Sequence, residues 1–99
     1  MGVKIMNQAR REELQKIINT YGKKLQLIQA VEELSELQKA VCKYLKNPDL
    51  NEINNLTEEM ADVQVMLDQL KIIFDNEKEV ECNIEFKIKR THQRAGIEE

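Results

Sequence analysis

With 99 residues, the chain has room for one domain, read as spanning 1–99, and a domain this small buries only roughly two thirds of the surface its unfolded form exposes. Three Gly, one Pro and four aromatics among recurrent Leu, Ile, Val, Met and Ala favour long helices and argue against a turn-rich sheet. The net charge of -3, from 18 acids and 15 bases, leaves no basic field to hold a nucleic-acid duplex by its phosphates.

Cys42 and Cys82 stand apart, with no CxxC spacing, which argues against a zinc site or a disulfide framework and for two reduced thiols. Met1 to Arg11 lacks the apolar core of a signal peptide, and no apolar run is long enough to span a bilayer. The expectation is a soluble, cytoplasmic protein that does not engage membranes.

Four helices are expected in chain order. The first runs from about Met6 to Thr20, with Leu14, Ile17, Ile18 and Tyr21 along one edge and Gly22 as its C-cap. A second, from about Lys24 to Lys46, carries Leu27, Val31, Leu34, Leu37, Val41, Tyr44 and Leu45 on one broad stripe. Asn47-Pro48-Asp49 ends it, because the residue before a proline disfavours helical geometry. Asp49 caps a third helix over about Leu50 to Phe74, with an irregularity expected at Asn54-Asn55. Asp75-Asn76 breaks the pattern before a basic helix over about 77–94, where Val80, Ile84, Ile88 and Thr91 recur at helical spacing. The tail from Ala95 to Glu99 is expected to fray.

One internal repeat links the two central helices. Glu32–Val41 (EELSELQKAV) overlays Glu58–Leu67 (EEMADVQVML), with identity at Glu32/Glu58, Glu33/Glu59 and Gln38/Gln64. At about 100° of rotation per residue, Glu59 falls inside the apolar stripe of its helix, and Asp62 borders it about 60° away. The same construction puts Glu33 beside Leu37, Ala40 and Tyr44, with Glu36 about 60° to the side. Four carboxylates thus border the expected core of a hairpin spanning about 24–74.

Unpaired charge among aliphatic side chains costs several kcal/mol, so these acids need either basic partners or a cation. Lys39 and Lys43 can reach Glu36, which keeps ordinary salt bridges open as one answer. The segment from Glu58 to Leu70, however, contains four acids and no Lys or Arg. A hard divalent cation such as Mg2+ suits oxygen ligands and commonly bridges carboxylates to substrate phosphates. A di-iron carboxylate bundle would need Glu-x-x-His on two helices, and His92 is the sole histidine.

The pattern Glu32-Glu33-x-x-Glu36, followed after 22 intervening residues by Glu59-x-x-Asp62, resembles the EExxE…ExxD signature of the MazG-like all-α nucleoside triphosphate pyrophosphohydrolases. The resemblance covers about 26–74 and, more loosely, the basic helix that follows. It implies an all-α, four-helix, bundle-type subunit assembled as a homodimer or homotetramer, an assembly the thin core also favours. It further implies hydrolysis of a (d)NTP to (d)NMP and pyrophosphate with Mg2+, or Mn2+ in its place, in nucleotide-pool house-cleaning. Carried onto this chain, Glu33, Glu36, Glu59 and Asp62 would be the metal ligands, and Glu32, beside Glu33, would orient or deprotonate the attacking water.

Triphosphate also needs cationic contacts, for which Lys39 and Lys43 on the second helix and Lys87, Arg90 and Arg94 on the last are candidates, although charged stripes are commonly just solvated faces. Met60 and Met66 read as packing, while Tyr21 and Tyr44 could stack on a base. A phosphoribosyl-ATP pyrophosphohydrolase is the enzymatic rival, yet Val63-Gln64-Val65-Met66-Leu67 lacks the His its members carry after the second acidic motif. A helical interaction module is the alternative of a different class, for which charges flanking an apolar seam are expected rather than acids within it.

Overall fold

The computed structural model describes residues 4–97, so the leader reading at Met1–Val3 and the tail reading at Glu98–Glu99 fall outside it. The described residues form four α-helices and no strand: α1 (Gln8–Tyr21), α2 (Lys23–Lys46), α3 (Leu50–Phe74) and α4 (Glu77–Arg94). The expected all-α, four-helix architecture is observed. No helix among the described residues is long and apolar enough to cross a membrane.

Local chemistry sets the boundaries. The first helix starts two residues later than its apolar spacing predicts, because the side chain of Asn7 accepts a hydrogen bond from the Arg10 N–H at 2.8 Å and fixes Asn7 as the N-cap. Gly22 closes α1 with φ 89°, donating its N–H to the Ile18 carbonyl at 2.8 Å, and α2 begins at the next residue. Only glycine adopts such a corner without steric cost. Asp49 caps α3 as expected, accepting from the Glu52 N–H at 2.8 Å. The irregularity expected at Asn54-Asn55 is absent, since α3 runs through both residues. Their modest helix propensity costs well under about 1 kcal/mol each and is overridden by packing on either side. Asp75 turns the chain into α4 with left-handed φ 50° and ψ 48°, a conformation that aspartate tolerates better than most residues. Of the tail expected to fray, the part described instead forms a closing turn, with Gly96 at φ 72° and the Ile97 N–H donating to the His92 carbonyl at 2.9 Å.

The structure is organised around α2 and α3, which pack as an antiparallel hairpin. Ala30 and Ala40 from α2 let the axes approach, and Val63 and Met66 from α3 fill the space, all four being buried. At the open end of the hairpin the buried Gln26 donates from Nε2 to the Oε1 of Gln69 at 2.7 Å, so neither amide is left unpaired in that bond. α1 lies across this end and buries Leu14 and Ile18. α4 lies alongside α3 and buries no residue. Its first turn is held by Glu77, which accepts from Arg11 and from the Met6 backbone N–H.

The apolar stripe expected along α2 is wider than the contact that covers it. Leu27, Leu37 and Tyr44 are half-buried, whereas Val31, Leu34, Val41 and Leu45 are exposed. Tyr21, read as part of the α1 edge, is exposed as well, as are Ile84 and Ile88 on α4. The radius of gyration is 16.2 Å, against about 13 Å for a compact domain of this length.

The amide pair at the hairpin's open end gives a stability test. Gln26→Leu strands the buried Gln69 side chain and should cost about 1–3 kcal/mol in urea denaturation, while Gln26→Leu combined with Gln69→Leu should recover part of that loss. Equal stability of the single variant and the parent would show that the buried bond contributes nothing.

Candidate metal centre

Pairing of α2 with α3 sets the site. Residues that face each other across an antiparallel hairpin keep a nearly constant sum of sequence numbers, and the Gln26–Gln69 bond fixes that register. The same register, two turns farther toward the Asn47–Asp49 turn, brings Glu33 opposite Glu59 and Asp62. One carboxylate oxygen from each of Glu33, Glu59 and Asp62 lies within 4.8 Å of the other two. The helical spacing of Glu59 and Asp62 aims both at the same neighbour. Three of the four ligands named from the sequence are therefore gathered at one point.

The fourth, Glu36, lies one turn along α2 and is outside that trio. Its Oε1 accepts from Lys39 Nζ at 3.4 Å, both side chains being largely exposed. An exposed pair of this kind contributes little stability, and Glu36 still acts electrostatically on Glu59. Glu33 accepts from Gln29 Nε2 at 2.9 Å. This neutral donor orients the carboxylate without cancelling its charge. Among the described residues, no ion pair involves Glu33, Glu59 or Asp62.

Desolvation and crowding leave a mark on Glu59. Its carboxyl is held above the ordinary glutamate range, first by burial and then by repulsion from Asp62, Glu33, Glu36 and Glu58. The sequence reading places all four acids at the edge of the core, and the structure softens it. Glu33 and Glu59 are half-buried, and Glu36 and Asp62 are exposed. The cause is the bare flank of α3, where Met60, next to Glu59, is 57% exposed.

Asp68 shows how the same helix treats an acid whose charge is cancelled by protein. Only 5% exposed, it receives Arg10 from α1 at 3.5 Å, Lys71 at 3.4 Å and the amide of Gln64 at 3.2 Å. The sequence reading singled out neither this network nor the Gln26–Gln69 pair. Lys71 at i+3 was a usable signal, but the partner from α1 is not readable from spacing. Two turns apart on α3, one acid is neutralised by bases and the other cluster is not.

Beside the trio, an open recess of about 560 Å3 is lined by Val31, Glu32, Glu33, Ser35, Glu36 and Lys39. Glu32 is exposed within it and forms no ion pair among the described residues. Lys39 is the one base on the recess wall, and Lys43 follows one turn later on the same helix. The other candidate bases are on α4, which makes no packing contact with α2. Lys87 there borders an apolar patch with Ile84 and Ile88, and Arg90 lies over the Phe86 ring at 5.8 Å. Tyr21 and Tyr44 do not line the recess.

These residues fit a hard divalent cation. The donors are all carboxylate oxygens, they converge from two helices, and among the described residues no guanidinium or ammonium group pairs with the trio. No protein-family model matches the sequence, and neither a curated protein nor a solved structure matches it significantly. Fold and site together define an all-α helical chain with a cluster of carboxylates on its central hairpin.

The raised Glu59 carboxyl fixes the sign of a pH effect. Folding binds a proton more tightly at this group than the unfolded chain does, so its contribution to stability falls as pH rises through the folded-state pKa. In chelator, Glu59→Gln should therefore melt higher than the parent at neutral pH, and the gap should close on acidification toward the ordinary glutamate range. A gap that is constant with pH would mean that ionised Glu59 is not under strain.

Proposed function

We propose that this chain is a Mg2+-dependent nucleoside triphosphate pyrophosphohydrolase of the MazG-like kind, converting a (d)NTP to the (d)NMP and pyrophosphate in cleansing of the nucleotide pool. The observation that carries the reading is the convergence of Glu33, Glu59 and Asp62 with no basic partner among the described residues. The resemblance of Glu32-Glu33-x-x-Glu36 and Glu59-x-x-Asp62 to the family signature gives it its chemical direction.

On this reading Glu33, Glu59 and Asp62 would hold the metal, with Glu36, now paired with Lys39, as the further candidate ligand. A cation held there would neutralise charge on a triphosphate and lower the pKa of bound water. What the chain itself contributes is position. Two packed helices hold the carboxylates on opposite sides of one small volume, so little reorganisation remains when charge develops on phosphate oxygens. Glu32, on the recess wall beside Glu33, is placed to orient a water and accept its proton. Lys39, on the same wall, would meet a phosphate oxygen, with Lys43 one turn behind it. Lys87, Arg90 and Arg94 have no assigned contact with the acids in a single chain, and their role as phosphate contacts stays subordinate to that of Lys39.

An interaction module without catalysis draws support from a different observation, the exposed apolar residues on the hairpin. The two readings differ in their response to metal. Incubation of the full chain with a panel of nucleoside triphosphates and Mg2+ should release pyrophosphate, not orthophosphate, and chelator should stop it. Glu59→Gln should bring turnover below detection while leaving helix content unchanged. Absence of pyrophosphate release from every triphosphate, or full activity of the variant, would overturn the assignment.

A further inference from the structure

Basic charge is gathered on the second half of α4. Residues 86–97 hold Lys87, Lys89, Arg90 and Arg94 and no acid, in a chain whose net charge is -3. Among the described residues none of these four forms an ion pair. The helix dipole accounts for Arg94, which stands in the last turn, but its effect fades beyond that turn and leaves Lys87, Lys89 and Arg90 unexplained. Arg90 lies over the Phe86 ring at 5.8 Å, and its Nε is shielded from solvent with no hydrogen-bond partner among the described residues. That guanidinium has a donor to spare.

Beside these bases runs an apolar row. With Ile84 taken as zero, Val80, Ile88 and Thr91 fall within about 40° of it, Lys87 and Arg94 lie about 60–80° to one side, and His92 about 80° to the other. Gly96, at φ 72°, turns the chain back, and the Ile97 N–H donates to the His92 carbonyl. Ile97 thereby joins Ile84, Lys87, Ile88, Thr91 and His92 around a shallow recess of about 510 Å3. Ile84, Ile88 and Ile97 are exposed, Ile88 by 54%, and α4 buries none of its 18 residues. Helices in proteins owe most of their stability to the packing of such a face, and α4 leaves its own uncovered.

We infer that this face of α4 is a docking surface for an acidic amphipathic helix of a partner protein, with aliphatic side chains on Ile84, Ile88 and Ile97 and carboxylates against Lys87, Arg90 and Arg94. Charge decides between the occupants. An apolar row flanked by bases is matched by apolar anchors at helical spacing with acids beside them. Two copies of α4 face to face would set bases against bases. An anionic lipid surface has the wrong shape, because Phe86, 63% exposed, points about 160° away from Ile84 and one plane cannot take both. Glu81 and Glu85 also border the apolar row, at about 60–100° on the His92 side, and would be pressed against lipid phosphates. A short helix laid along the segment after Glu85 avoids both acids. Since α4 makes no packing contact with α2, this surface stands apart from the acid cluster, and the inference does not depend on the hydrolase reading.

The test is binding of a labelled synthetic helix of about four turns, with leucines at three- and four-residue spacing among glutamates and alanines, to the full chain. Fluorescence anisotropy in chelator and at physiological salt is the readout. Saturable binding is expected, tighter by about tenfold or more than that of a twin peptide with lysine in place of every glutamate. Lys87→Glu with Arg94→Glu should weaken binding by about the same factor and reduce its dependence on salt. Ile84→Gln with Ile88→Gln should weaken it with helical circular dichroism retained, since both positions are exposed and glutamine is a good helix former. This second variant decides the matter if the charge reversal unfolds α4. No saturable binding of the acidic peptide, equal binding of the lysine twin, or parental affinity in a folded variant would overturn the inference. So would tighter association with phosphatidylglycerol vesicles than with the peptide, or a fall in the chain's own sedimentation mass in the isoleucine variant, which would give the face to lipid or to a second copy.

Discussion

The packing of α2 against α3 is the constraint from which the rest follows. Small residues at Ala30 and Ala40 bring the axes together, and Gln26 and Gln69 fix the register through one buried bond. That register places Glu33 across from Glu59 and Asp62. A slip of one helical turn would separate the carboxylates by about 5 Å and would also break the amide pair. The same contact that gives the chain its core therefore assembles its charge cluster. Stability and site are coupled through a few residues on two helices, while α1 braces one end and α4 contributes little packing.

Electrostatics along α3 fall into two regimes. Asp68 is buried and fully served by Arg10, Lys71 and Gln64, so its charge is a structural matter settled within the protein. Glu59 and Asp62 sit nearer the hairpin turn, and among the described residues no base pairs with them. Partial burial first, and then repulsion from the neighbouring acids, raises the carboxyl of Glu59. A cluster of acids that is partly buried and open to solvent on one side is the basis for the proposed hydrolase reading.

Much of this was legible in the residue pattern. Four helices, the Asp49 cap, the turn at Asp75 and the opposition of two acidic repeats follow from spacing and turn chemistry alone. What spacing could not give is which apolar residues a single copy covers. Val31, Leu34, Val41 and Leu45 share the period of Leu37 and Tyr44, and only the placement of α3 divides the stripe into a covered half and a bare one. For the same reason the acids read as core-bordering are more accessible than expected. The Asp68 network was missed because Arg10 arrives from a helix nearly sixty residues away in sequence, a separation that no local rule spans. Glu36 occupies the middle ground, since its pairing with Lys39 was one of the two alternatives its position allowed.

The central claim is that the carboxylates of Glu33, Glu59 and Asp62 form a single site for a divalent cation. Titration of the full chain with Mn2+, following loss of the free-ion signal by electron paramagnetic resonance, addresses it without reference to any substrate. The account predicts a saturable loss of free Mn2+ that excess Mg2+ reverses and that Asp62→Asn abolishes. A free-ion signal undiminished by the protein, or identical uptake by Asp62→Asn, would contradict it.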